Sequence, residues 1–184
     1  MGQPRFNDVC EQIFTCAKDL SKKGGLGHVN SMVLAVALVS VVQVRRSVCN
    51  SVLMEFGCST PGFVELIRNA VVGRTHKIME AILPNAFPPD FLPWRTDLTD
   101  LPWTPVTMKL QRVAQNIAAI MKSDLVLPEH LALGILCTSS SVISMIRDYG
   151  IPPTKLKMSF VKSLGWTSMD SFEEDVSRFM IFSV

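Results

Sequence analysis

The feature that most constrains the fold is a four-residue pattern that occurs twice. Residues 55–58, EFGC, and residues 148–151, DYGI, each run acidic, aromatic, glycine, apolar. In both places a serine-led apolar segment precedes the pattern and a proline follows it, at Pro61 and at Pro152-Pro153. Glycine ends helices in the left-handed conformation, and proline favours the first turn of a helix. The pattern therefore predicts one helical unit used twice along the chain.

The first half has the apolar spacing of four helices. Apolar positions three and four residues apart predict a helix over residues 6–20. Residues 32–44 are almost entirely apolar and rich in valine, which alone would suit a strand as well as a helix. The order shared with the second half favours a helix there. A third helix over residues 47–56 and a fourth that begins at Thr60-Pro61 complete the unit.

The second half repeats this order. Thr104-Pro105 is a capping residue followed by proline and predicts the start of an amphipathic helix. The apolar run that follows Pro128 predicts the second helix, and Ser139 can cap the third. Pro152-Pro153 then opens the fourth helix. The sequence thus predicts an all-α fold of two four-helix repeats.

Residues 84–105 separate the two repeats and differ from both in composition. Six prolines lie in this connector, which excludes a long regular helix. Its large apolar side chains would be costly to leave in water, so we expect an ordered strap packed against the helical body. The alternative is a recognition arm that binds a partner. Phe91, Trp94 and Trp103 are then the contact candidates, because large aromatic residues often anchor interfaces.

The chain ends in a segment with one further apolar helical face. Phe172, Val176 and Phe179 lie on that face within residues 170–182, and acidic residues occupy its first turn. We expect a docked carboxy-terminal helix; an amphipathic tail that binds a groove on a partner is the alternative. The predicted division is residues 1–83 for the first repeat, 84–105 for the connector, 106–166 for the second repeat and 167–184 for the terminal helix, all within one compact domain.

One motif in the second repeat is similar to a known family. Residues 127–136, LPEHLALGIL, followed by residues 145–151, MIRDYGI, resemble the amino-terminal double-repeat domain of Clp ATPases. Gly27-His28 also lies where that family often has Gly-His. The first repeat departs from the family, because Ser31-Met32 stands where a Glu-His pair is expected.

The resemblance implies two repeats related by a pseudo-two-fold axis and no chemistry in the domain itself. It further implies a role in chaperone and protease systems: docking substrates or adaptor proteins onto an unfoldase ring during protein quality control. The ATP-binding pattern Gly-x-x-x-x-Gly-Lys-Ser/Thr does not occur in the sequence. We therefore expect either an isolated docking domain or a stand-alone Clp accessory protein.

The residue types that could act in catalysis or metal binding are better explained by roles in the fold. Glu129 and His130 have no second histidine at a metal-binding spacing, so we expect them to hold the fold: Glu129 at the positive end of a helix dipole, His130 by hydrogen bonding to a neighbouring loop. The five cysteines are scattered and lie mostly on apolar faces, where thiols pack as small hydrophobic groups. We expect no catalytic residue, cofactor or metal, and hence no enzyme.

Charge and hydropathy favour a protein partner over nucleic acid or a membrane. A formal net charge of +2, without a basic stripe, disfavours nucleic acid. The apolar runs are too short for membrane insertion. Odd, scattered cysteines favour a reducing intracellular compartment, either the cytosol or an organelle matrix. The leading hypothesis is a protein-binding module that uses an apolar groove between its repeats or beside the connector. Its partner is then a Clp-type ATPase or protease, an adaptor or an unfolded polypeptide. The alternative is a structural subunit of a larger assembly that uses the same fold.

Overall fold

The computed structural model describes residues 3–58 and 101–181, which form eight helices and one short pair of strands. The helices are α1 (Asp8–Lys23), α2 (Ser31–Val42), α3 (Val48–Glu55), α4 (Pro105–Ile120), α5 (Pro128–Thr138), α6 (Ser140–Asp148), α7 (Pro153–Ser163) and α8 (Met169–Ile181). Strands β1 (Arg5–Phe6) and β2 (Leu125–Val126) pair in parallel. The predicted all-α class is confirmed, and the helix predicted to start at Thr60 lies outside the described residues.

The first helix starts two residues later than its apolar spacing predicts. Phe6 belongs to β1, where it pairs with Val126, and the Asn7 amide donates to the Val126 carbonyl at 3.1 Å. The Asn7 side chain then accepts from the Cys10 amide at 2.9 Å and caps α1. The prediction that Phe6 is helical is wrong, because its backbone pairs with β2, about 120 residues later in the chain.

Residues 32–44, which by their apolar pattern suited a strand as well as a helix, lie mostly in helix α2. Asn30 caps it by accepting from the Val33 amide at 3.0 Å, and nine of its twelve residues are buried. Helix α5 is equally enclosed, with nine of its eleven residues buried. These two short helices occupy the centre of the molecule, and the longer α1 and α4 pack alongside them. Their uniform burial explains why neither shows an amphipathic pattern in the sequence.

The two glycines of the repeated pattern do what the sequence predicts. Gly57 follows α3 with φ at 71°, and Gly150 follows α6 with φ at 78°. Both glycines lie in the left-handed region of backbone conformation, which other residues adopt only with strain. Ser139 caps α6 as predicted, and Ser47, predicted as the start of the third helix, is the residue that caps α3. The pseudo-two-fold symmetry stays a prediction.

The described part of the connector is anchored to the first half. Leu101 is buried, and Val29 donates its amide to the Pro102 carbonyl at 2.9 Å. Thr104 caps α4 as predicted, accepting from the Thr107 amide at 3.3 Å. Residues 84–100 lie outside the described residues, and so do Phe91 and Trp94.

Helix α8 lies against α4 and α7. Phe172 is 1% exposed and meets the Trp166 ring edge to face at 5.1 Å. The Trp166 indole donates to the Asp175 carboxylate at 2.9 Å, and Lys157 on α7 forms an ion pair with Glu173 at 3.1 Å. The structure therefore places this helix on the body of the chain, as the docked-helix prediction expected.

No single helix in residues 3–58 and 101–181 is long and apolar enough to span a membrane. Helices α5 and α6 pass that test only as a pair, by length and composition, and they meet at a bend of 95°.

Candidate functional site

An apolar cleft lies where α2 and α3 of the first half meet α5, α6 and α7 of the second. Each helix contributes side chains to it, among them Ala35, Leu53, Ala132, Met145 and Phe160. All thirteen lining side chains described are apolar, apart from the thiol of Cys58. Both halves of the chain therefore contribute to one apolar surface.

The size of the apolar cleft limits what it can hold. The centre of a water-sized sphere can reach about 50 Å³ of it. An engineered apolar cavity of about 150 Å³ binds benzene and stays free of water. The apolar cleft is therefore too small for an aromatic ring as it stands, and its lining gives water no hydrogen-bond partners. It fits a small aliphatic side chain.

Glu129 connects the two halves of the chain. Its side chain is 6% exposed, and Oε1 accepts from the Cys49 amide at 2.9 Å. That amide lies in the first turn of α3, where backbone donors have no partner within the helix. The sequence predicts that Glu129 meets a positive helix end, and the helix end that it meets belongs to the other half. A second hydrogen bond joins the two halves. The Ser31 hydroxyl, at the start of α2, lies 2.8 Å from the hydroxyl of Ser139, which caps α6.

We expect Glu129→Ala to lower the free energy of unfolding by about 1–3 kcal/mol, because it leaves the buried Cys49 amide without an acceptor. Glu129→Gln keeps an oxygen in reach of that amide and should cost less than about 1 kcal/mol. Urea denaturation of the three proteins measures both values. Equal losses in the two variants would show that the hydrogen bond to Cys49 contributes nothing.

His130 holds the start of α5. It is 1% exposed, and its Nδ1 accepts from the Leu127 amide at 3.0 Å. Since Nδ1 is the acceptor, the neutral ring carries its proton on Nε2, which lies 3.3 Å from Met121 Sδ. Burial lowers the pKa of His130 from 6.5 to about 4. The ring is therefore neutral at physiological pH, and both of its nitrogens already have partners, the Leu127 amide and Met121 Sδ.

The lowered pKa of His130 predicts a loss of stability in mild acid. Above pH 6.5 the ring is neutral in both the folded and the unfolded chain. Between pH 6.5 and 4 only the unfolded chain takes up the proton, so up to about 3 kcal/mol of stability is lost as the pH falls. His130→Asn keeps an acceptor for the Leu127 amide and does not titrate. Its unfolding free energy, measured across this range, should fall less steeply than that of the wild type.

The matched control for that titration is His28→Asn, because His28 is exposed. This variant removes an exposed histidine and leaves the buried contacts of His130 in place. If His130→Asn and His28→Asn both follow the wild type, protonation of His130 does not destabilise the fold.

Trp103 is half-buried. Its ring meets Phe14 edge to face at 5.4 Å, and the Lys18 ammonium lies 6.0 Å from its centroid. Phe14 in turn meets Phe6 at 4.9 Å. Part of the Trp103 surface therefore contributes to packing of the first half, and its role as a partner contact stays a prediction.

The buried thiols are poor nucleophiles. Burial raises the pKa of Cys10 to about 12 and that of Cys58 to about 11, and it also raises the pKa of Cys49 well above its usual value. The nearby Glu129 carboxylate adds to the shifts at Cys10 and Cys49. A cysteine attacks as the thiolate, so these three side chains act as core residues at neutral pH. In the described ranges, no group of three or more His, Cys, Asp and Glu residues is placed to hold a metal ion.

Comparison with known proteins finds a similar structure but no similar sequence among protein families and curated proteins. No family model and no curated protein matches the sequence. Among solved structures, the chain is similar to the N-terminal domain of the caseinolytic protease associated chaperone ClpD from Arabidopsis thaliana, with a TM-score of 0.62. The match covers 88% of this chain and 96% of that one at 17% sequence identity. The fold is that of a Clp amino-terminal domain.

The Clp amino-terminal fold confirms the resemblance read from residues 127–136. At this identity the likeness establishes the fold alone. The sequence predicts an apolar groove between the repeats or beside the connector, but it does not predict which residues line the apolar cleft. The positions that line it are part of the same apolar periodicity as the rest of the core, and nothing in that periodicity marks where a void remains.

Proposed function

We propose that this chain is a non-enzymatic protein-interaction module that binds a short apolar segment of another protein in the apolar cleft. The observation that carries the proposal is that both halves build the cleft and that its lining is apolar. The Clp amino-terminal fold supports it, because the family resembled uses this domain to dock substrates and adaptors. The partner is then a Clp-type ATPase or protease, an adaptor, or an unfolded polypeptide.

The chemistry of the lining determines what the cleft selects. Full burial of one aliphatic side chain contributes about 1.5–3 kcal/mol. A charged or hydrogen-bonding side chain would lose its water contacts and find no replacement there. The cleft therefore favours an aliphatic residue without reading the sequence around it. Such a small contact gives weak and reversible binding, as a docking module that must release its substrate requires.

A filled cleft should block binding. Ala132→Val places two extra methyl groups in the apolar cleft and leaves the remaining lining unchanged. We expect it to raise the dissociation constant for a fluorescently labelled, permanently unfolded polypeptide at least about tenfold, equivalent to 1.4 kcal/mol. Reduced and carboxymethylated α-lactalbumin is a suitable probe, and fluorescence anisotropy measures the constant.

The matched control is Ala119→Val, because Ala119 is half-buried on α4 and does not line the cleft. It makes the same substitution in the same kind of helix and should leave the affinity unchanged. Thermal unfolding of both variants checks that each stays folded. If Ala132→Val binds the probe as tightly as the wild type, the cleft is not the binding site.

We also propose that the protein works in a reducing compartment, the cytosol or an organelle matrix. Five unbridged cysteines support this, three of them buried in the core. Oxidising surroundings would select against such thiols in a chain that needs no disulfide to fold.

The alternative function is that of a structural subunit, and exposed apolar surface supports it. Six large apolar side chains of the described residues are exposed, namely Val44, Val48, Met54, Val106, Met108 and Leu125. A partner that covers them permanently would gain their burial. Sedimentation of the purified chain separates the two functions: a monomer that binds the probe reversibly supports the docking module, and concentration-dependent assembly without probe binding supports the subunit.

A further inference from the structure

We draw no further inference here: the strongest candidate, the cleft between α4, α5, α7 and α8 where the Cys137 thiol lies beside the Lys157–Glu173 ion pair, rests on a single exposed cysteine whose pKa is raised by burial of its sulfur, and nothing among the described residues points to a ligand there.

Discussion

Gly134→Val should cost about 4 kcal/mol of folding free energy or more, although valine suits a helix interior slightly better than glycine does. A Cβ at position 134 would lie 2.5 Å from the Leu110 carbonyl oxygen and 3.3 Å from Ala114 Cβ. The first of these atoms belongs to the backbone of α4, so the clash can be relieved only by moving α4 and α5 apart. That movement would open the packing between these two helices.

Gly134→Ala provides a graded second variant if Gly134→Val does not fold. It should lose about 3 kcal/mol, since overpacking costs of this kind outweigh the roughly 1 kcal/mol that alanine gains in helix propensity. Gly27→Val is the control, because no atom lies within 4 Å of a Cβ at that glycine. Urea denaturation of all three variants gives the values. A Gly134→Ala protein as stable as the wild type would contradict the close approach of α4 and α5.

Phe172→Ala should lower the free energy of unfolding by about 3–5 kcal/mol, the usual cost of removing a fully buried aromatic ring. Among residues 169–178 of α8, Phe172 is the most buried, and its loss also removes the ring contact with Trp166 and the face on which the Lys157 ammonium lies. The same variant should expose Trp166 and shift its fluorescence emission to longer wavelength. Thermal and urea unfolding, each with fluorescence detection, measure both effects.

Glu173→Gln removes the ion pair of α8 and keeps its apolar contacts, so it measures how much the ion pair alone stabilises the helix on the body. Glu173 is exposed and pairs with Lys157, so its neutral variant should cost less than about 1 kcal/mol. A loss below 1 kcal/mol for Phe172→Ala as well would mean that α8 does not stay on the body in solution. The apolar face of α8 would then be free for a groove on a partner, the alternative considered from the sequence.

Local features of the fold were predictable from the sequence because local chemistry fixes them. Caps such as Asn30 and Ser139 satisfy the first free amides of a helix within three residues, and Gly57 and Gly150 end helices through their own backbone freedom. Each of these signals lies within a few residues of what it controls. The fold was predicted from the repeated order of these helix signals and from the resemblance carried by residues 127–136 and 145–151.

Contacts between distant segments were not predictable in the same way. The amide that Glu129 accepts from lies 80 residues earlier in the chain, and the strand at Phe6 depends on Val126. Gly134 gave no turn signal, since its role is to let another helix approach. The lining of the apolar cleft depends on which side chains face each other, and a single sequence does not show this.

A titration with an unfolded polypeptide tests most directly whether the chain binds unfolded protein through an apolar site. Labelled, reduced and carboxymethylated α-lactalbumin is mixed with increasing amounts of the purified protein while anisotropy is followed, and native α-lactalbumin is added as competitor. We predict saturable binding that the native, folded competitor does not displace. The absence of saturable binding, or displacement by the folded competitor at equal concentration, would contradict the claim.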